Sequence, residues 1–186
     1  MKAIAQDRYG SADVLALQEV DRPVVGDGQV LVRVHAAAVN ALDWHFMRGA
    51  PYLVRPMLGW RRPRVKVRGV DVAGRVEAVG AGVERLRPGD DVFGWCNGAF
   101  AEYVSAGEDH FVVKPADLTF EQAAAVPLAA MTALQGIRDS GRVAAGQTVL
   151  IVGASGGVGT FAVQIAKSLG AEVTGVCSTR NLELVR

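Results

Sequence analysis

The stretch from Thr148 to Gly159, TVLIVGASGGVG, restricts the fold more than any other part of the chain. Thr148 to Val152 is continuously apolar and rich in β-branched residues, which predicts a parallel strand buried on both faces. From Val158 the apolar positions Val158, Phe161, Ala162, Ile165, Ala166 and Leu169 recur at the three-and-four spacing of one helical face. Gly170 then supplies a stop. Between strand and helix the spacing is Ala154-x-Gly156-x-x-Gly159, with an extra Gly153. In a dinucleotide-binding unit such glycines permit a tight turn, let backbone approach a pyrophosphate and bring helix against sheet, while N–H groups at the helix start bind phosphate. Ser155, Gly156, Gly157, Val158 and Gly159 are the expected cradle. Glycine spacing alone is weak and a plain strand-to-helix turn is the alternative, but a strand before and a helix after strengthen the reading.

Upstream the pattern differs. Gln29 to His35 alternates, and so does Val70 to Val79, where Val70, Val72, Val76 and Ala78 share a face. Turns at Gly26-Asp27-Gly28, Gly80-Ala81-Gly82 and Arg87-Pro88-Gly89-Asp90 reverse the chain. Short strands follow near Asp91 to Trp95, Phe100 to Ser105 and Phe111 to Lys114, so residues 1–118 predict a small antiparallel barrel. Thr119 with Gln122 forms a capping-box pattern, and Pro127 starts a second helix running to about Ser140. Residues 119–146 are thus connecting helices closed by a linker at Gly141 to Gly146. Residues 147–186 hold strand, helix and a second strand, Glu172 to Cys177, with Leu182 to Arg186 opening another helix. This is half of a doubly wound unit. A complete dinucleotide domain is about three or more times longer, which predicts an N-terminal portion of a longer protein.

Half of the 186 residues are hydrophobic and the net charge is +1, which predicts a packed core without polyelectrolyte character. Apolar runs fall short of the roughly 20 residues that span a bilayer, and Met1-Lys2-Ala3-Ile4 opens directly into a strand-like pattern. A cytoplasmic protein with no membrane and no nucleic-acid partner is expected. Arg55, Arg61, Arg62, Arg64, Lys66 and Arg68 do crowd one segment beside Tyr52 and Trp60, but its prolines mark a solvated surface loop. Cys96 and Cys177 are too few for a disulfide framework or a zinc lobe, and both read as reduced core thiols.

Three passages in order, Gly69-Val70-Asp71-Val72-Ala73-Gly74-Arg75-Val76, Val126-Pro127-Leu128-Ala129-Ala130-Met131-Thr132-Ala133 and the glycine turn, resemble the medium-chain dehydrogenase/reductase superfamily. The likeness covers essentially the whole chain and is strongest to its zinc-independent quinone oxidoreductase branch. It implies an α/β fold with a β-rich N-terminal domain: a GroES-like catalytic barrel followed by the first β-α-β of a Rossmann domain, with substrate and nicotinamide in the cleft between them. Relatives are commonly homodimers through an edge strand of the Rossmann sheet.

Zinc-bearing members hold the metal with a cysteine three residues before an aspartate, a His-Glu pair after a glycine, and a cysteine four residues before a threonine. Here Asp43 is present, but Asn40 replaces the first cysteine, Val70-Asp71 replaces His-Glu, and Leu128 stands four residues before Thr132. Asparagine, valine and leucine do not replace thiolate and imidazole, so no metal site is expected.

Without a Lewis acid, the reaction expected is reduction of an electrophilic acceptor, a quinone or conjugated enone, with donors aimed at the oxygen where negative charge builds. The rivals are an enoyl thioester reductase and a cofactor-binding module without turnover. By resemblance Asn40 lines the cleft near nicotinamide and acceptor, and Thr132 faces the nicotinamide ribose. Asn40 also suits the N-cap of a short helix from Ala41 to Met47. Asp43 reads as a local stabiliser or a site residue. His45 stands where zinc alcohol dehydrogenases keep a proton relay, or else packs beside Trp44. Tyr52, Trp60 and Trp95 are conjectured pocket walls.

NAD-preferring units place an acid at the tip of the second strand. Here the tip reads Val176-Cys177-Ser178-Thr179-Arg180-Asn181, with no acid. Ser178, Thr179 and Arg180 suit a 2′-phosphate, so NADPH is expected over NADH.

Overall fold

The computed structural model describes residues 1–186 as two compact units, Met1–Pro127 and Leu128–Arg186. In the first, β1 (Lys2–Ala5) and β2 (Ala16–Glu19) form an antiparallel ribbon. A five-stranded antiparallel sheet is built from β3 (Gln29–Ala38), β4 (Asp71–Val79), β5 (Asp91–Trp95), β6 (Tyr103–Gly107) and β7 (Phe111–Val113), in the order β6-β3-β4-β5-β7. β1 joins the body through single antiparallel bridges from Ala3 to Ala101 and from Ala5 to Val67. Inward side chains alternate as the pattern predicts: Val30 and Val32 from β3, Val72 and Val76 from β4, Val92 from β5 and Phe111 from β7 share one core cluster. Burying each such side chain contributes about 1.5–3 kcal/mol.

β4 departs from simple alternation, because Asp71, Val72, Ala73 and Gly74 are all buried. Helices explain this. α1 (Ala41–Arg48) and α2 (Arg55–Leu58) follow β3, and α3 (Phe120–Ala124) lays Ala123 and Ala124 on Ala73, covering the sheet's second face. The α3 capping box forms as expected: the Gln122 N–H donates to Thr119 Oγ1 at 3.2 Å, and the Thr119 N–H donates to Gln122 Oε1 at 2.9 Å. Small residues at the contact let backbones approach closely. The basic segment divides: Arg61, Arg62 and Arg64 are exposed, whereas Arg68 is buried, its backbone shared between Ile4 and Phe100.

In the second unit α4 (Pro127–Leu134) ends earlier than its apolar pattern suggests and passes into a π-helical turn, Gln135–Ser140. β8 (Thr148–Val152) and β9 (Glu172–Val176) pair in parallel, joined by α5 (Gly157–Ser168), and α6 (Leu182–Val185) closes the described chain. A Schellman motif stops α5: the Gly170 N–H donates to the Lys167 carbonyl and the Ala171 N–H to that of Ala166. Ala133, Ile151, Ala154, Ala162 and Ala166 form its core. The expectation of a β8 buried on both faces is not met. Ile151 is buried, but Leu150 is 64% and Val152 76% exposed, because helix covers one face of this two-stranded sheet and nothing covers the other. Cys177 is likewise half-buried rather than a core thiol, whereas Cys96 is buried. No helix is long and apolar enough to cross a membrane.

Candidate functional site

The glycine turn has the local geometry of a phosphate cradle. Gly153 leaves β8 with φ +81°, a left-handed conformation that a side chain would strain, and its N–H and that of Ala154 both donate to the Val176 carbonyl. Gly156 occupies the N-cap of α5 and offers no side-chain acceptor to the first turn. The N–H groups of Gly157, Val158 and Gly159 therefore lie at an uncapped helix start, where the helix dipole favours an anion. Gly159 is required for close approach: a methyl there would lie 2.1 Å from the Gly153 carbonyl oxygen and 2.9 Å from Ala154 Cα. At Gly157 the same methyl would meet nothing within 4 Å, so backbone faces open space. These residues fit a pyrophosphate.

The tip of β9 stands beside this turn. Ser178 stands at the N-cap position of the short turn Thr179–Asn181 without a side-chain capping bond, and Ser178, Thr179 and Arg180 are all exposed. Arg180 has no ion-pair partner, and the nearby acid Glu183 is occupied by Arg186 at 3.0 Å. Asn181 was missed by sequence reading. Its Nδ2 donates to Ser155 Oγ at 2.9 Å and ties the tip to the glycine turn. The only available signal was a polar residue just past the strand, a weak one.

In the first unit the expected residues Asn40 and Asp43 come together at the start of α1. The Asn40 N–H donates to Asp43 Oδ2 at 2.8 Å, and the Asn40 side chain donates from Nδ2 to Asp71 Oδ2 at 3.1 Å. Asp71, which stands where zinc-bearing members carry the glutamate of their His-Glu pair, is fully buried on β4. Asp43 is 6% exposed. Burial raises its pKa, opposed by the Asn40 N–H, the nearby Arg68 guanidinium and the Gly69 N–H. Burial also presses the Arg68 guanidinium below its ordinary value, against the pull of Tyr9 and Asp43, and Arg68 Nε finds no hydrogen-bond partner. Cys96, whose N–H donates to the Val70 carbonyl, has its thiol pushed up to about 12 by burial and then by Asp71. It is inert.

His45 lies two positions past Asp43, about 200° around the helix, on the exposed side. Its Nδ1 is 3.2 Å from the Ala50 carbonyl and its ring meets Trp44 edge-on. Thr132, on α4, is exposed and donates its hydroxyl to the Leu128 carbonyl at 2.7 Å. Trp95 packs on His110, Trp60 is 70% exposed, and Tyr52 borders a cavity with Tyr9, Arg48 and Arg55. Where zinc-bearing relatives have their ligands, Asn40, Val70 and Leu128 supply no thiolate or imidazole. No group of three His, Cys, Asp or Glu side chains is placed to hold a metal.

The profile of the alcohol dehydrogenase GroES-like domain matches residues 26–117. A quinone oxidoreductase from Sus scrofa is 40% identical over 182 residues, 96% of this chain and 53% of its own length. The chain belongs to the medium-chain dehydrogenase/reductase superfamily. Among solved structures, a quinone oxidoreductase from Coxiella burnetii superposes with a TM-score of 0.90 at 34% identity, covering all of this chain and 59% of that one. The CurK enoyl reductase gives a TM-score of 0.91 at 29% identity, covering 99% of this chain and 56% of that one. The chain thus spans about half the length of the curated relatives it matches. Its fold is that of the superfamily's GroES-like domain followed by the start of a Rossmann domain.

Proposed function

We propose that this protein is a zinc-independent, NADPH-dependent oxidoreductase acting on a quinone or a conjugated carbonyl acceptor. The observation that carries the reading is the glycine turn itself, an uncapped helix start whose first turn holds Gly159, a glycine with no room for a methyl. Bound NADPH would supply hydride from its nicotinamide. The N–H groups of Gly157, Val158 and Gly159 would hold the pyrophosphate, with Ser155 and Gly156 shaping the approach. At the acid-free tip, Ser178, Thr179 and Arg180 would take the 2′-phosphate through two hydroxyls and a guanidinium fork.

Asn40 has one amide N–H engaged by Asp71 and a second to offer. It would stabilise negative charge growing on the acceptor oxygen, which a preorganised amide does without reorganising. Asp43 fixes the backbone under Asn40, and Thr132 offers lone pairs to the nicotinamide ribose. His45 keeps a weaker claim as a proton relay, since it faces outward. In this reading residues 1–118 form the catalytic domain and 147–186 part of the cofactor domain, joined by 119–146, in a cytoplasmic homodimer.

The likeness to an enoyl reductase favours a second reading, in which the acceptor is an enoyl thioester. Quinone, enone and enoyl thioester are all conjugated acceptors, so the residues above serve each. The assay follows loss of NADPH absorbance with one acceptor of each kind, using protein from the complete reading frame. Turnover of quinone or enone supports the first reading and turnover of only the thioester supports the second. Oxidation with none of them leaves a binding module. Comparable kcat/KM for NADH and NADPH would remove the cofactor preference.

A further inference from the structure

A cavity of about 360 Å³ in the first unit is bordered by Tyr9, Gly10, Ser11, Arg48, Tyr52 and Arg55, and no acidic side chain lines it. Between Asp43 and Asp71 the sequence contains no aspartate or glutamate at all. Arg55 is half-buried, with its guanidinium 4.8 Å from the Tyr9 ring centroid and 4.5 Å from that of Tyr52. Its Nε donates to the Gly49 carbonyl at 3.0 Å, which leaves both terminal nitrogens for another partner. Arg48 lies 4.7 Å over the Trp44 ring. Neither arginine has a carboxylate within ion-pair distance, whereas Arg22, also stacked on a tyrosine, is paired with Glu77 at 2.9 Å. Arg61, Arg62 and Arg64 form the contrast: they are exposed and no ring lies under them.

We propose that this cavity is a phosphate-binding site, taking the phosphate or diphosphate end of a substrate or carrier. Two guanidinium groups at one cavity match two negative charges, which a phosphate or diphosphate carries and a carboxylate does not. Stacking holds both side chains in place beforehand, so little rotamer freedom is lost when an anion arrives. The site stands independently of the reductase reading. If that reading holds, the cavity is where a phosphate-bearing acceptor, such as an enoyl thioester of coenzyme A, places its charge.

Calorimetric titration with inorganic pyrophosphate tests the site without turnover, so failure here is distinguishable from failure of the reductase assay. Because the glycine turn is read as taking the same anion, the titration is run with that turn saturated by NADPH, and only the affinity that depends on Arg48 and Arg55 is assigned to the cavity. The Arg48→Gln/Arg55→Gln variant is expected to lose about 100-fold in affinity, roughly tenfold per guanidinium. Arg48→Gln alone, at an exposed position where folding is not at stake, should lose about tenfold. Arg61→Gln/Arg62→Gln, outside the cavity, should stay within about twofold. The proposal is overturned if Arg48→Gln binds as the parent does, if the Arg61/Arg62 variant loses as much, or if acetate binds as tightly as pyrophosphate.

Discussion

Replacing Gly159 by alanine probes the cradle more directly than any other single change. An added methyl carbon would lie 2.1 Å from the Gly153 carbonyl oxygen, whereas carbon and carbonyl oxygen approach no closer than about 3.3 Å. The first turn of α5 must therefore retreat by about 1.2 Å, because the opposing atom is backbone and has no rotamer to change. Alanine favours helix over glycine by about 1 kcal/mol, but overpacking of this kind costs about 1–3 kcal/mol, so the variant should be less stable. A displacement of that size breaks hydrogen bonds from the helix start to a phosphate. Each charge-assisted bond contributes about 1.5–3 kcal/mol, so the loss of one raises the NADPH Kd about 10- to 150-fold. Gly157→Ala is the paired control, since its methyl meets nothing within 4 Å and the unliganded protein should be as stable as the parent or more so. The assay is a thermal melt followed by calorimetric titration with NADPH. A Gly159→Ala protein that melts with the parent and binds NADPH within about twofold of it would refute the close-approach argument.

Three further outcomes are expected. Arg68→Met removes the cation nearest the buried Asp43 carboxylate and should cost about 3 kcal/mol in urea unfolding at neutral pH. Burial holds the Asp43 pKa above its ordinary value, so the carboxyl protonates more readily folded than unfolded. The deficit must therefore narrow as pH falls, and a deficit that widens would contradict the pairing. For Glu108 the sign is opposite. Burial pushes its pKa up, but N–H groups of Arg85, Glu84 and Leu86 and the Arg85 guanidinium outweigh that and hold it low. Glu108→Gln should be less stable than the parent at neutral pH, with the difference lost as pH falls below the usual carboxylate range, about 4.3 for glutamate. Cys96, with a thiol near 12 under its buried sheet, should resist an aromatic disulfide reagent in the native state while half-buried Cys177 reacts. One thiol released before denaturation and two after is the expected count, and two released at once would contradict the burial.

The features that depend on neighbours along the chain were legible in the sequence by itself. Alternation located β3 and β4, Thr119 with Gln122 located the start of α3, and the glycines located the turn from β8 into α5, because each rests on side-chain periodicity or backbone geometry within a few residues. Asn40 and Asp43 were also legible as a pair at a helix start three residues apart. What only the tertiary structure decided lies between distant segments. Asp71 orients Asn40 across 31 positions and Arg68 balances Asp43 in a segment that reads as solvated loop. Asn181 is tied to Ser155, and Leu150 and Val152 are bare in a strand whose composition suits burial on both faces. The physical reason is common to these cases. Periodicity reports that a side chain wants a partner or a dry face, while the identity of that partner is set by which elements the sheet registers bring alongside it.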